Sequence, residues 1–157
     1  MINHNEEAVL IDFGVCYLVD QQLNDEVSGA NIGTFYYYSP EMWEKKLDDN
    51  NNPISIKGEL TDLWALGITF YRILTGKFPF TGTTVLKLKE SIINDQIDFS
   101  LIKNDNARKF LMHILQKEVS KRATLKDIIN CDWVTNNGKE ELQVEVIEND
   151  FVPELYP

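Results

Sequence analysis

The sequence predicts a mainly α-helical domain, and three observations carry that prediction. Residues Glu59 to Thr75, ELTDLWALGITFYRILT, place apolar side chains on nearly every face of a helix. Two amphipathic patterns follow at helical spacing, one through Val85, Leu88, Ile92 and Ile93, the other through Phe110, Leu111, Ile114 and Leu115. Strand-like signal is confined to an apolar run at Ala8–Ile11 and to the alternating tail LQVEVIENDF. With 157 residues, 43% hydrophobic and 11% aromatic, the chain fits one domain or a large piece of one, with material enough for a packed core.

Taken in order, Ala8–Ile11 reads as a short buried strand ending in the turn at Asp12-Phe13-Gly14. Residues 15–32 hold no sustained period and contain Asn, Asp, Ser and Gly, which predicts a long loop. After Pro40, EMWEKKL predicts a short helix that stops at the polar DDNNNP stretch. The Glu59–Thr75 helix, apolar all round, belongs in the middle of the protein. Thr61 or Asp62 can cap its start, and Gly76 stands where a left-handed closing residue is needed. GKFPF is a Pro-containing turn, and Thr124 to Asp127 has capping-box spacing that opens a short helix through Ile129. The tail is either a docked extended strand or partly disordered.

Composition excludes some function classes. A formal charge of −10 argues against nucleic acid or an anionic membrane as the main partner. It fits a cytoplasmic protein that could attract basic peptides, although a solvated acidic surface is the simpler reading. Cys16 and Cys131 form no CxxC or Cys/His cluster, which fits a reducing compartment and argues against a structural metal. His4 and His113 have no ligand or catalytic partners in the sequence, and His113 reads as an ordinary helix residue. No apolar run reaches membrane-spanning length, and MINHNEE is too acidic for a signal peptide.

One stretch resists a purely structural account: Phe35-Tyr36-Tyr37-Tyr38, set between Gly33-Thr34 and Ser39-Pro40-Glu41. A strand there would put alternate rings into water, and Pro40 would end it.

The order of several short motifs is more telling than any one of them. IDFG stands at residues 11–14, GT at 33–34, SPE at 39–41, DLWALG at 62–67, TGKFPF at 75–80 and KRATLKDIINCDWV at 121–134. As an ordered set, from about Val9 to Val134, this resembles the C-terminal lobe of a eukaryotic Ser/Thr protein kinase. DFGV and WVTNNGKEELQVEVIEND look most like the calcium/calmodulin-dependent protein kinase kinase group. The resemblance implies a partial protein-kinase-like fold: a helical C-lobe from the DFG strand onward with little β structure. It divides the chain into a partial kinase domain, residues 1–135, and an acidic extension, residues 136–157.

The resemblance also assigns residues. Asp12 matches the aspartate that binds the Mg²⁺ bridging the ATP phosphates, a role suited to a hard carboxylate oxygen. Phe13 would pack against the N-terminal lobe, and Gly14 would let the backbone turn. Val15–Ile32 would be the activation loop, with Ser28 as candidate phosphosite. A phosphate there would need basic partners that the loop lacks, so an unmodified Ser28 is the simpler reading. Gly33 and Thr34 match the pair that marks Ser/Thr specificity, the Thr34 hydroxyl supporting the catalytic Asp and a Lys. Glu41 and Arg122 would form an ion pair tying the substrate loop to the core, and Trp64 would be a further structural residue. Asp62 would hold the backbone of the catalytic loop.

Where relatives carry a mixture such as Pro-Ala-Phe-Met-Ala, this chain has Phe35-Tyr36-Tyr37-Tyr38-Ser39. Phe35 in place of a proline and Tyr36 in place of a small residue would reshape the pocket for the residue after the acceptor. Tyr37 and Tyr38 would pack beneath.

Other kinase parts do not occur in these 157 residues: no Gly-rich loop, no VAIK lysine and no HRDLxxxN. The expectation is half a Mg²⁺ site, no catalytic base, no tight ATP or Mg²⁺ binding and no activity from this chain alone. An uncovered apolar patch on the Glu59–Thr75 helix and marginal stability are expected with it. Two functions stand: a fragment of a Ser/Thr kinase, or a non-catalytic C-lobe that binds proteins as a scaffold. Expected partners are a protein or peptide substrate, the missing N-lobe and, in a full-length parent, calmodulin.

Overall fold

The computed structural model describes residues 1–12, 34–44 and 57–140. The activation-loop positions Phe13, Gly14, Ser28 and Gly33, together with Cys16 and the LQVEVIENDF tail, lie outside them. Among these residues five α-helices form in chain order: α1 (Pro40–Glu44), α2 (Gly58–Thr75), α3 (Val85–Asn94), α4 (Asp105–Ile114) and α5 (Leu125–Ile129). Short 3₁₀ turns at Phe35–Tyr37, Phe99–Leu101 and Val119–Lys121 join them. Among the described residues β structure is limited to isolated bridge positions, an antiparallel bridge between Ile2 and Ala8 and one at Lys57. The fold is mainly helical, as the periodicity predicts.

Helix α2 is the axis of the core. Leu63, Trp64, Ile68 and Tyr71 are buried on it, against Phe110, Leu111 and Ile114 of α4 and Leu88 and Ile92 of α3. Gly67 sets how closely α2 meets the end of α4: a Cβ added there would fall 2.8 Å from Leu115 Cδ2 and 2.9 Å from Ile114 Cγ2. The Tyr71 hydroxyl donates to the Asp98 carbonyl at 3.0 Å, fastening the α3–α4 connection to α2. Burial, with Asp98 nearby, pushes the Tyr71 phenol pKa up.

Helix ends follow local chemistry in most places. Gly76 closes α2 at φ 74°, its N–H donating to the Arg72 carbonyl. Thr84 caps α3 by accepting from the Lys87 N–H, and Asn104 caps α4 by accepting from Ala107 N–H. At α5, Thr124 Oγ1 accepts from Asp127 N–H while Asp127 Oδ2 accepts from Thr124 N–H, a complete capping box.

Three expectations are corrected. Neither Thr61 nor Asp62 caps α2. The cap position is Lys57, one turn earlier, with no side-chain hydrogen bond, and the Thr61 hydroxyl instead donates to the Gly58 carbonyl at 2.7 Å. The helix thus starts far enough upstream to place Thr61 inside its first turn, where back-bonding is the geometry open to a hydroxyl. Ala8–Ile11 is not buried: Leu10 is 84% exposed, and Val9 and Ile11 are exposed too. Among the described residues this segment pairs with the chain start, through Met1 with Val9 and Ile2 with Ala8, and joins no part of the core. Finally, α2 is not buried all round as its apolar faces suggest, and it carries the uncovered apolar patch expected of it. Asp62, Leu66, Thr69 and Ile73, spaced three or four residues apart on one side, are exposed, with Leu74 beside them.

Candidate functional site

The aromatic run is a single 3₁₀ turn, closed by Tyr37 N–H to Thr34 O at 3.0 Å and Tyr38 N–H to Phe35 O at 3.2 Å. With three residues per turn, positions i and i+3 eclipse, so Phe35 and Tyr38 leave the backbone on one side. Both meet Trp43 of α1, at centroid distances of 5.5 and 5.3 Å, and each other at 5.3 Å. The other two rings turn toward the α2–α3 connection. Tyr36 stacks on Phe78 at 4.4 Å, and Tyr37 meets its edge at 5.7 Å. The Arg72 guanidinium lies 4.5 Å over Phe78. The run therefore divides Phe35 with Tyr38 and Tyr36 with Tyr37, rather than into a front pair and a back pair as the sequence suggests.

Directly after the turn comes a polar anchor. Arg122 donates to both carboxylate oxygens of Glu41, Nη1 to Oε1 at 2.7 Å and Nη2 to Oε2 at 2.9 Å. Nη1 also donates to the Leu60 carbonyl at 2.8 Å and Nε to the Gln116 carbonyl at 3.0 Å. The guanidinium lies 5.0 Å over the Trp64 ring, and its side chain is wholly buried. One planar fork thus joins α1, the start of α2, the α4–α5 connection and the core indole. Four buried side-chain atoms have no hydrogen-bond partner among the described residues: Tyr38 Oη, Ser39 Oγ, Trp43 Nε1 and Trp64 Nε1. Burial pushes the Tyr38 phenol pKa up.

The outer side of the turn faces a groove. Thr34, Phe35 and Tyr36 form one wall, Thr84, Val85 and Leu88 of the α3 start the other, and Gly82 and Thr83 the floor, enclosing about 350 Å³. Gly82 is required here: a Cβ would come within 2.3 Å of the Leu88 amide nitrogen. Val85 and Leu88 enter the sequence reading only as core positions of a helix, and Phe78 and Arg72 have no role in it. Nothing in a linear pattern shows which ring Phe78 stacks on.

The remaining assigned residues lie apart from this groove. Asp12 is exposed, in the left-handed region at φ 64°, which a short polar side chain tolerates. Its carboxylate makes no hydrogen bond and so is a free hard-oxygen donor, but among the described residues no group of three His, Cys, Asp or Glu side chains converges to complete a metal site. Asp62 opens the exposed side of α2 and accepts no hydrogen bond among the described residues. Adjacent protein withdraws water from its carboxylate and pushes the pKa up. No helix among the described residues is long and apolar enough to cross a membrane.

The comparisons with known proteins agree on one family. The protein kinase domain family matches residues 1–134. A serine/threonine-protein kinase, ppk34 of Schizosaccharomyces pombe, is 28% identical over 151 residues, covering 96% of this chain and 40% of the relative. A calcium/calmodulin-dependent protein kinase kinase, cmkC of Emericella nidulans, is 25% identical over 142 residues, covering 90% of this chain and 26% of the relative. Among solved structures, Rad53 in complex with AMP-PNP superposes with a TM-score of 0.52 at 28% identity, over 65% of this chain and 26% of that one. The chain thus spans well under half the length of these relatives.

Proposed function

Because the chain belongs to the protein kinase domain family, we propose that it is the C-terminal part of a Ser/Thr protein kinase. The complete enzyme would transfer the γ-phosphoryl group of ATP to a protein Ser or Thr hydroxyl. The observation that carries this reading is the groove beside Thr34–Tyr36, held in register by the Glu41–Arg122 fork. It is a docking face for the peptide segment that follows the acceptor residue. Support for Ser/Thr rather than Tyr acceptors comes from Gly33-Thr34 and from relatives named as serine/threonine kinases.

Asp12 would contribute one Mg²⁺ ligand, and the metal in turn would neutralise charge on the ATP phosphates. Thr34 would support the catalytic aspartate, which the 157 residues do not contain. Asp62, with its unpartnered carboxylate, would receive the backbone of the catalytic loop. Phosphoryl transfer depends on positioning and electrostatics, so a chain with one metal ligand and no base transfers no phosphate alone. The affinity to the calcium/calmodulin-dependent kinase kinases rests on local stretches and on cmkC; calmodulin is the partner it suggests for a longer parent in the cytoplasm. The exposed Leu66, Ile73 and Leu74 favour a second reading, a non-catalytic C-lobe that binds proteins.

The test has two parts. Calorimetric titration of Mg-ATP into the chain should show no saturable binding, and a micromolar affinity would overturn the half-site reading. Fusion to the ATP-binding half of a related Ser/Thr kinase should give phosphate transfer to Ser peptides and not Tyr peptides. Asp12→Asn should abolish that transfer. Undiminished transfer by the variant would remove the role given to Asp12.

A further inference from the structure

Past Trp133, which packs on Phe70 of α2 and Phe110 of α4 at 5.2 and 4.9 Å, the chain turns back against the first turn of α4. That turn holds Asn137-Gly138, the only Asn-Gly pair in the sequence, and both residues are exposed. Both take the left-handed conformation, at φ 60° and 75°. A Cβ built on Gly138 would meet nothing within 4 Å, so the space around the pair is open.

An exposed Asn-Gly pair is reactive in water, because glycine has no Cβ to obstruct attack by its amide nitrogen on the preceding side chain. The Gly138 nitrogen bonds to Asn137 Cγ and gives its proton to solvent base. The Cγ–Nδ2 bond breaks, and Nδ2 takes a proton from water and leaves as ammonia. Water then opens the cyclic imide at either carbonyl, giving aspartate or, with the main chain rerouted through Cβ, isoaspartate. Water is the only co-reactant.

Three hydrogen bonds hold the reacting atoms back. Asn137 Oδ1 accepts from Asn106 Nδ2 at 2.8 Å, the Asn137 N–H donates to the Asp132 carbonyl at 2.8 Å, and the Gly138 N–H donates to Thr135 Oγ1 at 3.1 Å. Asn106 belongs to α4, so the electrophilic side chain is tied to the packed core, while Thr135 restrains the nucleophile.

We propose that Asn137 is a self-modifying site, converting to aspartate and isoaspartate at a rate set by Asn106 and Thr135. Isoaspartate adds one atom to the main chain, so the bonds to Asp132 and Thr135 no longer fit one turn. Conversion therefore unfastens the turn from α4. It is separate from phosphoryl transfer and uses none of its residues.

The test is incubation of the full 157-residue chain in mildly alkaline heavy-oxygen water, followed by peptide mapping by mass spectrometry. The peptide carrying Asn137 should gain one heavy oxygen and separate into aspartate and isoaspartate forms. Asn106 and Asn136, which precede Ala and Asn, should stay intact. Asn106→Ala should speed conversion about five-fold, the worth of one hydrogen bond. Alanine favours the helix at that position, so the variant keeps its fold. Thr135→Ala, which frees the Gly138 N–H, should also speed it, and urea midpoints check that both variants fold. The guanidinium-unfolded chain should convert faster than either. The separated isoaspartate form should have a lower urea midpoint than the parent. An Asn137 that stays intact in the parent and both variants overturns the site. Equal rates in the parent and both variants overturn the restraint, and an unchanged midpoint overturns the unfastening.

Discussion

The two ends of the aromatic turn are held by opposite means. At the Glu41 end a buried guanidinium makes four hydrogen bonds to three separate segments. At the Tyr36 end, half-buried rings stack on Phe78 beneath an exposed Arg72, and the groove opens to solvent. Directional bonds in a dry site fix a single register. Ring stacking is weaker and tolerates sliding, so it suits a surface that must accept a ligand. One short turn therefore joins a rigid foot to an adaptable rim.

Breaking the foot should have the largest effect. Arg122→Ala strands the Glu41 carboxylate in a nearly dry site, and loss of one partner of such a pair costs about 3–5 kcal/mol. Since net stabilities are small, urea denaturation should find the variant largely unfolded at room temperature. A midpoint close to the parent's would mean that the fork is dispensable. Phe78→Ala attacks the rim. Half-buried aromatic truncation should cost about 2 kcal/mol, below the range for fully buried rings. The loss should appear in peptide affinity as well as in the urea midpoint. Loss of stability alone would show that the stack only fills space.

The smallest effect sharpens the comparison from the foot's far side, where the α5 capping box begins two residues after Arg122. Hydrogen bonds from Thr124 hold the Asp127 carboxyl below its ordinary value of 3.8. A depressed carboxyl pKa adds stability above the unfolded value and loses it as pH falls through the folded one. The difference in urea midpoint between the parent and Asp127→Ala should therefore be constant from pH 7 to about pH 5 and shrink below 3.8. A difference that ignores pH would show that the ionised carboxylate contributes nothing there.

Much of the helical framework was legible because it follows from local rules. Period fixes the buried side of α4 and, apart from the exposed Val85, that of α3, while Gly76 closes α2 and the Thr124–Asp127 spacing opens α5. The start of α2 was misread because two plausible caps one turn inside the helix looked better than Lys57, which has no capping side chain. Ala8–Ile11 was misread because apolarity says that a segment can be buried, not that a core lies beside it. The coupling of Glu41 to Arg122, 81 positions apart, was available only through family resemblance. The pairing of the rings depended on the turn being 3₁₀, whose three-residue period eclipses Phe35 with Tyr38. The partnership of Tyr36 with Phe78 depended on tertiary folding that no local pattern encodes.

Gly82 has a consequence for evolution at this surface. Its α-carbon lies against the main chain of Lys87 and Leu88, so any side chain there would have to displace the helix itself. The spacing between the Gly82 backbone and α3 is consequently fixed by an atom that is missing, and drift at neighbouring positions cannot retune it gradually. Exposed Thr83 and Val85 beside it carry no such constraint, so the lining of the groove can change while its spacing from α3 cannot.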